Sequence, residues 1–253
     1  MKKFAFVTGA GGYIGSEVAS VLARTGMAVA VCDINEEGIR KTVEKILGEG
    51  GVAKGYVADV SDSADTERAI NTATEELGTL YAMVHVAGGG ARIAGADAKY
   101  LPLADQEDYV IDRVLKVNLY GAIYCSRAAA KIMRAQGMGG RIINFSSIVG
   151  TNGLKYCTEY AVSKAGVIGL VKSLAKEVGE YGITVNAVSP GIVKRPGEQS
   201  EEYALKTNFL GAKCTAKDVA ELVKFLTSDE AKFITGQNYI IDGGRSLAMK
   251  GTD

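Results

Sequence analysis

Phe4-Ala5-Phe6-Val7-Thr8-Gly9-Ala10-Gly11-Gly12-Tyr13-Ile14-Gly15 is the stretch that decides the fold. Strand-forming residues run directly into a glycine-rich turn, and helical periodicity begins at Ile14. Such a turn lets the backbone bend tightly and lie close to a pyrophosphate, whose charge is met by N–H groups at the positive end of the following helix. Glycines also serve as plain turn formers, so the turn takes its meaning from the next strand. Asp33 ends that second strand pattern 18 residues after Gly15. A carboxylate there accepts hydrogen bonds from a ribose 2′-hydroxyl and repels a 2′-phosphate. The bland alternative is a turn or cap residue within Asp33-Ile34-Asn35-Glu36. Residues 9–15 contain no Arg or Lys to offset the repulsion, so loop and acid together predict NAD(H) over NADP(H).

The alternation continues along the chain. Strand patterns fall at 4–8, 28–33, 53–58, 82–87, 141–146, 184–189 and 238–242. Helical patterns fall at 14–24, 36–47, 64–77, 105–135, 158–181 and 215–227. Thr215, with Asp218 three residues later, reads as a capping box at the start of the last helix. Strand–helix alternation means βαβ crossovers and a parallel sheet covered on both faces. The expected fold is α/β, a single doubly wound Rossmann domain with a parallel sheet of about seven strands. No composition shift within 1–253 marks a second domain.

Composition removes several classes of function. The chain has 253 residues, 47% of them hydrophobic and 23% charged, which suits a globular protein with a sizeable core and excludes disorder. Its 29 basic and 29 acidic residues cancel, which argues against nucleic acid as a partner. No apolar run approaches the roughly 18 to 20 residues of a membrane span. Met1-Lys2-Lys3 and a short apolar run imitate a signal peptide, but the run enters the glycine turn too soon, so a cytoplasmic protein is expected. Cys32, Cys125, Cys157 and Cys214 are too scattered for a zinc site and read as reduced thiols. His85 is the sole histidine, the G-x-S-x-G elbow of hydrolases is absent, and nothing calls for a metal.

Tyr160-Ala161-Val162-Ser163-Lys164 puts a phenol and an ammonium on one helix face. A tyrosine titrating near pKa 10 is a poor proton shuttle at neutral pH, and a neighbouring Lys⁺ is expected to lower that value. Ser147 follows the strand at 141–146, where its hydroxyl can enter the same cleft, and Asn118 lies in the helix before that strand. Each has a bland reading singly: a surface pair, a turn cap, a residue satisfying helix backbone. Their joint spacing behind a dinucleotide loop favours catalysis.

Through these residues the sequence resembles the short-chain dehydrogenase/reductase family, in its short single-domain form, and is similar to 3-oxoacyl reductases. The resemblance runs from Thr8 to about Leu247 through Thr8-Gly9…Gly15, Asp59-Val60, Ala87-Gly88, Asn118, Asn144 to Ser147, Tyr160-x-x-x-Lys164, Pro190-Gly191 and Asp242-Gly243-Gly244. It implies that Tyr160 is the general acid/base and that Ser147 polarises the substrate oxygen. It further implies that Lys164 holds the nicotinamide ribose and that Asn118 keeps a water chain for proton exchange. The implied NAD contacts are Gly9, Gly12, Tyr13, Ile14, Gly15, Asp33, Ile34, Asp59, Val60, Ala87, Gly88, Tyr160, Lys164, Pro190, Gly191 and Val193. A homotetramer is also implied, with 242–247 near an interface.

The sequence departs from the family in places. Tyr13 occupies the usual middle glycine, giving the Gly9-x-x-Gly12-x-x-Gly15 spacing of sugar-nucleotide epimerases, for whose extra domain this chain has no room. His85-Val86-Ala87-Gly88 replaces Asn-Asn-Ala-Gly, and His85 reads as structural. Gly88-Gly89-Gly90 is either a loop start or a close approach to the cofactor. The long segment 91–104 is either a pocket wall or surface decoration. The expected activity is NAD(H)-dependent interconversion of a secondary alcohol and a ketone. Arg92, Lys194 and Arg195 suggest an anionic substrate such as a 3-oxoacyl or 3-hydroxyacyl thioester; the alternative is a neutral hydroxysteroid, polyol or cyclic alcohol. A non-catalytic dinucleotide-binding scaffold is the competing class.

Overall fold

The computed structural model describes residues 3–193 and 207–247. Lys194 and Arg195 lie outside the described residues. Seven parallel strands form one sheet: β1 (Lys3–Thr8), β2 (Ala28–Asp33), β3 (Val52–Val57), β4 (Thr79–His85), β5 (Gly140–Phe145), β6 (Ile183–Pro190) and β7 (Asn238–Ile241). Their spatial order is β3-β2-β1-β4-β5-β6-β7. The chain first builds outward from β1 through β2 to β3, then returns to the other side of β1 with β4. The order therefore reverses between β1 and β4, and a crevice opens beyond their C-terminal ends.

Side-chain alternation on buried strands feeds two cores. Phe4, Phe6, Leu80 and Ile142 pack on one face against Ile70, Met133 and Val171. Those three belong to α3 (Ser63–Leu77), α5 (Gly121–Gln136) and α7 (Thr158–Val178). Ala5, Val7, Val29, Val84 and Ile143 pack on the other face against Leu22, Ile46 and Val223. Here the covering helices are α1 (Tyr13–Arg24), α2 (Glu36–Gly48) and α8 (Ala216–Thr227). The doubly wound single layer of seven strands is as the sequence predicts. No helix among the described residues is long and apolar enough to cross a membrane.

Several boundaries move, and one move matters for the site. β4 starts at Thr79, directly after Gly78 caps α3 with a positive φ of 105°, and ends at His85 instead of 87 because Val86 and Ala87 leave the sheet. The expected helix at 105–135 is not continuous. A one-turn helix at Leu103–Asp105 precedes α4 (Asp108–Leu115), a π-helical turn follows at Lys116–Tyr120, and α5 then begins. Asn118 sits in that π turn, a geometry often found where a helix is deformed for function. The short α6 (Val149–Asn152) had no clear sequence signal.

Thr215 and Asp218 form the predicted capping box: the Thr215 hydroxyl accepts from the Asp218 amide, and the Asp218 carboxylate accepts from the Thr215 amide. Thr215→Ala is expected to lower stability by about 1 kcal/mol. A urea-unfolding midpoint identical to that of the parent protein would show that the box contributes nothing.

Candidate active site

At the switch point β1 and β4 touch through their backbones. Gly9 has φ +64°, and a Cβ there would lie 2.7 Å from the Ala87 amide nitrogen. A Cβ on Gly15 would lie 2.1 Å from the Gly9 carbonyl oxygen, so α1 can press onto the turn only with glycine at that position. The α1 N-cap is Gly12, with no side-chain cap and no acid in the first turn, which leaves the first-turn N–H groups for an anion. Thr8 ties the two strands together. Its Oγ1 lies 2.9 Å from His85 Nδ1 and accepts from the Ala87 amide at 3.3 Å. His85 is wholly buried, and burial, aided by the Lys164 charge, pushes its pKa down to about 3. It is a neutral structural clamp, and replacement of the family's asparagine does not leave this strand end loose.

A cleft of about 330 Å³ opens above this floor. Gly9, Gly12, Tyr13, Ile14 and Gly15 form one wall, and Asp33 with Ile34 forms another. Asp59, Val60, Ala87 and Gly88 complete the lining that the sequence predicted. Asp33 accepts the Gly11 amide at Oδ2 (2.9 Å) and the Asn35 amide at Oδ1 (3.0 Å), so its carboxylate is oriented at the mouth. Burial raises the Asp59 pKa, but bonds from Ser61 and the Arg113 guanidinium outweigh it and hold the carboxyl below its usual range. Arg113, whose Nη1 bonds Asp59 and Ser61, also lines this cleft. Sequence reading missed it, because an arginine in an amphipathic helix resembles any solvated charge.

A second cleft of about 210 Å³ shares Tyr13, Ile14, Val86 and Gly88 with the first, so the two are continuous. Ser147, Tyr160 and Lys164 meet here, with Pro190, Gly191 and Val193 opposite. The Ser147 hydroxyl accepts from the Val149 amide at 3.2 Å, leaving its proton free to donate. Lys164 Nζ donates to the Phe145 carbonyl at 2.8 Å, and the Ser146 hydroxyl donates to the Lys164 carbonyl at 2.8 Å. Gly150 of α6 packs against the same backbone: a Cβ there would lie 2.7 Å from the Lys164 carbonyl carbon. Asn118 stands behind the cleft. Its Nδ2 donates to the carbonyls of Gly89 and Val114, and its Oδ1 accepts from the Gly89 amide. Gly88 has φ +153°, and a Cβ there would lie 2.3 Å from Asn118 Oδ1 and 3.2 Å from Lys164 Nζ. Gly88 thus approaches Asn118 and Lys164 too closely for any side chain.

The electrostatics of the Tyr160–Lys164 pair run opposite to the expectation. The Tyr160 pKa is not lowered on balance. Burial raises it, the Ser147 hydroxyl pulls it back, and Tyr100 and Cys157 raise it further, with a net upward shift. The Lys164 ammonium lies 5.7 Å from the Tyr160 ring centroid and spends its hydrogen bond on Phe145. Burial pushes the Lys164 amine down to about 7. The segment after β4 is a wall rather than decoration: Ala91, Ala98, Val110 and Val114 form a small apolar cluster against Tyr160. Among the described residues no group of three or more His, Cys, Asp or Glu stands together to hold a metal.

A doubly wound sheet with a glycine-lined crevice running into a Ser, Tyr and Lys cluster defines a dinucleotide-binding oxidoreductase class. Residues 9–246 match the family described as Enoyl-(Acyl carrier protein) reductase. The short-chain reductase protein NovJ of Streptomyces niveus is 40% identical over 253 residues, covering 95% of this chain and 93% of that protein. Cyclohexanol dehydrogenase of an Acinetobacter species is 36% identical over 246 residues, covering 95% and 94%. The crystal structure of acetoin dehydrogenase from Enterobacter cloacae superposes with a TM-score of 0.90 at 32% identity, covering 100% of this chain and 99% of that one. The chain belongs to the short-chain dehydrogenase/reductase family.

The shift of Lys164 has a consequence for stability. An unperturbed lysine titrates near 10.5 and the folded one near 7, so between these values the unfolded chain binds a proton that the folded chain has released. Stability therefore rises with pH across that window, and the penalty is present in full below it. Lys164→Met should give an unfolding free energy that is flatter with pH over the same range. Equal slopes in the two proteins would mean that the amine titrates normally.

Proposed function

We propose that the protein is an NAD(H)-dependent oxidoreductase that interconverts a secondary alcohol and a ketone. One observation carries this reading: a single continuous cleft has the Asp33 carboxylate at its outer end and Ser147, Tyr160 and Lys164 at its inner end. The chain's residues fit a dinucleotide. The glycines leave backbone where side chains would clash, the uncapped α1 terminus suits a pyrophosphate, and Asp33 suits ribose hydroxyls. When bound, the nicotinamide supplies or accepts the hydride.

Tyr160, kept protonated by its raised pKa, delivers the proton to the substrate oxygen in the reductive direction. Ser147 donates its free hydroxyl hydrogen to the same oxygen and so orients it. Lys164, with its amine near 7, is poised to take up a proton from solvent and balance the phenolate left when Tyr160's own proton passes to the substrate oxygen. Asn118 holds the Gly88–Gly89 backbone beside that amine, a positioning role that adds to the water chain suggested by family resemblance.

The compact inner cleft and its apolar wall favour a small ketone or alcohol, as do the names of the cyclohexanol and acetoin dehydrogenases it resembles. Of the three cations expected to draw an anionic substrate, only Arg92 is among the described residues. Exposed Phe225 on α8, Phe233 after it and Ile240 within β7 support the homo-oligomer implied by family resemblance.

Two measurements test the proposal. Purified protein should consume NADH with a panel of small ketones, and Tyr160→Phe should cut turnover at least about a hundredfold while leaving NADH binding intact. Near-parental turnover would remove Tyr160 from the chemistry. In a separate comparison, kcat/KM should favour NADH over NADPH, and Asp33→Ala should narrow the gap. A native preference for NADPH would overturn the assignment of NAD.

A further inference from the structure

The one-turn helix after β4 faces two sites at once. It spans Ala91–Ala94 between Gly90 and Gly95, and its backbone bonds are local: Ile93 donates to the Gly90 carbonyl, Gly95 to Arg92 and Ala98 to Gly95. Bonds of this kind reach only three residues along the chain, so side-chain packing decides where the turn stands. Ile93 supplies that packing on three sides. It lines the dinucleotide cleft together with Val60, Gly88 and Val117. It rests on Gly89, where a Cβ would lie 2.7 Å from Ile93 Cγ2, and Asn118 holds Gly89 at both its amide and its carbonyl. It also packs against the cluster of Ala91, Ala98, Val110 and Val114, on which Tyr160 packs too. Ile93 is only half-buried, and covering such an apolar surface with a ligand is favourable because its contact with water is lost. Arg113, on the same helix as Val110 and Val114, lines the same cleft. Both elements that wall Tyr160 on this side therefore send one side chain into the dinucleotide cleft.

We propose that Ile93 is a positioning residue that links the two ends of the cleft: a bound dinucleotide covers its cleft side, and its other side then holds the apolar cluster against Tyr160. A ketone meets a firmer wall when the dinucleotide is in place, so the two ligands bind cooperatively. The assignment rests on the dinucleotide reading proposed above and adds the side chain through which cofactor occupancy reaches α7.

Hydrogen exchange with and without saturating NADH, and with no ketone present, tests the link without turnover. In the native protein the amides of Ile93, Gly95 and Ala98 should exchange at least about fivefold more slowly with NADH bound. Ile93→Ala, kept at saturating NADH, should lose that protection, and calorimetry should show NADH binding about tenfold more weakly. In kinetics with a small ketone the same variant should raise KM more than it lowers kcat. Ile93→Leu keeps the apolar volume and should retain both protection and affinity. Ile93→Val removes a single methyl group and should shift both readouts in the direction of Ile93→Ala, so it serves if Ile93→Ala does not fold. NADH binding that leaves these amides unslowed in the native protein, or protection that survives in Ile93→Ala, would overturn the link and leave the dinucleotide reading in place. A native protein that does not bind NADH would overturn both.

Discussion

Everything in the site depends on one steric constraint, the backbone contact between Gly9 and Ala87 at the ends of β1 and β4. With 2.7 Å between a hypothetical Cβ and the Ala87 nitrogen, no other residue type fits without moving a strand. That contact sets the floor of the crevice. It brings the α1 terminus over the floor through Gly15 and leaves Gly11 near enough for its amide to orient Asp33. The Thr8–His85 pair then fastens the two strands from beneath, in a dry interior where a neutral imidazole is the stable form. Tyr13 stands where the outer and inner clefts join, so the departure from the family's middle glycine shapes the join while the floor stays unchanged.

The inner end of the cleft is held by a second set of ties, all from three consecutive residues. Phe145 offers its carbonyl to Lys164 Nζ, Ser146 donates to the Lys164 backbone, and Ser147 faces the Tyr160 phenol. The end of β5 therefore fixes both the height and the rotation of α7, and Gly150 lets α6 close against the same helix turn. Ordering by several short backbone bonds suits the proposed chemistry, in which these groups keep their positions through proton transfer.

The fold was legible because buried parallel strands and amphipathic helices write different periods, and glycine marks the junctions. The residues from Gly9 to Val193 that the family resemblance named line one or other part of the cleft. What was not legible depends on contacts between distant segments. The π turn at Asn118 has no period of its own and hides inside a helical pattern. Arg113 becomes part of the cleft only because α4 crosses near Asp59. Whether 91–104 forms a wall depends on its apolar residues meeting Val110, Val114 and Tyr160, which local sequence cannot report.

The electrostatics of Tyr160 and Lys164 also escaped the sequence, and for a general reason. Spacing of four residues places both groups on one face, but the sign of their effect on each other depends on burial. In a dry pocket both titrate toward their neutral forms: the phenol is raised and the amine falls to about 7. Loss of the phenolic proton creates a negative charge, and that charge favours protonation of the amine 5.7 Å from the ring. After the phenolic proton has gone to the substrate oxygen, a separate proton taken up from solvent by the amine leaves a phenolate–ammonium pair. On the proposed chemistry, the lysine acts by becoming charged in step with the tyrosine, so the low dielectric that opposes an isolated charge strengthens the pair.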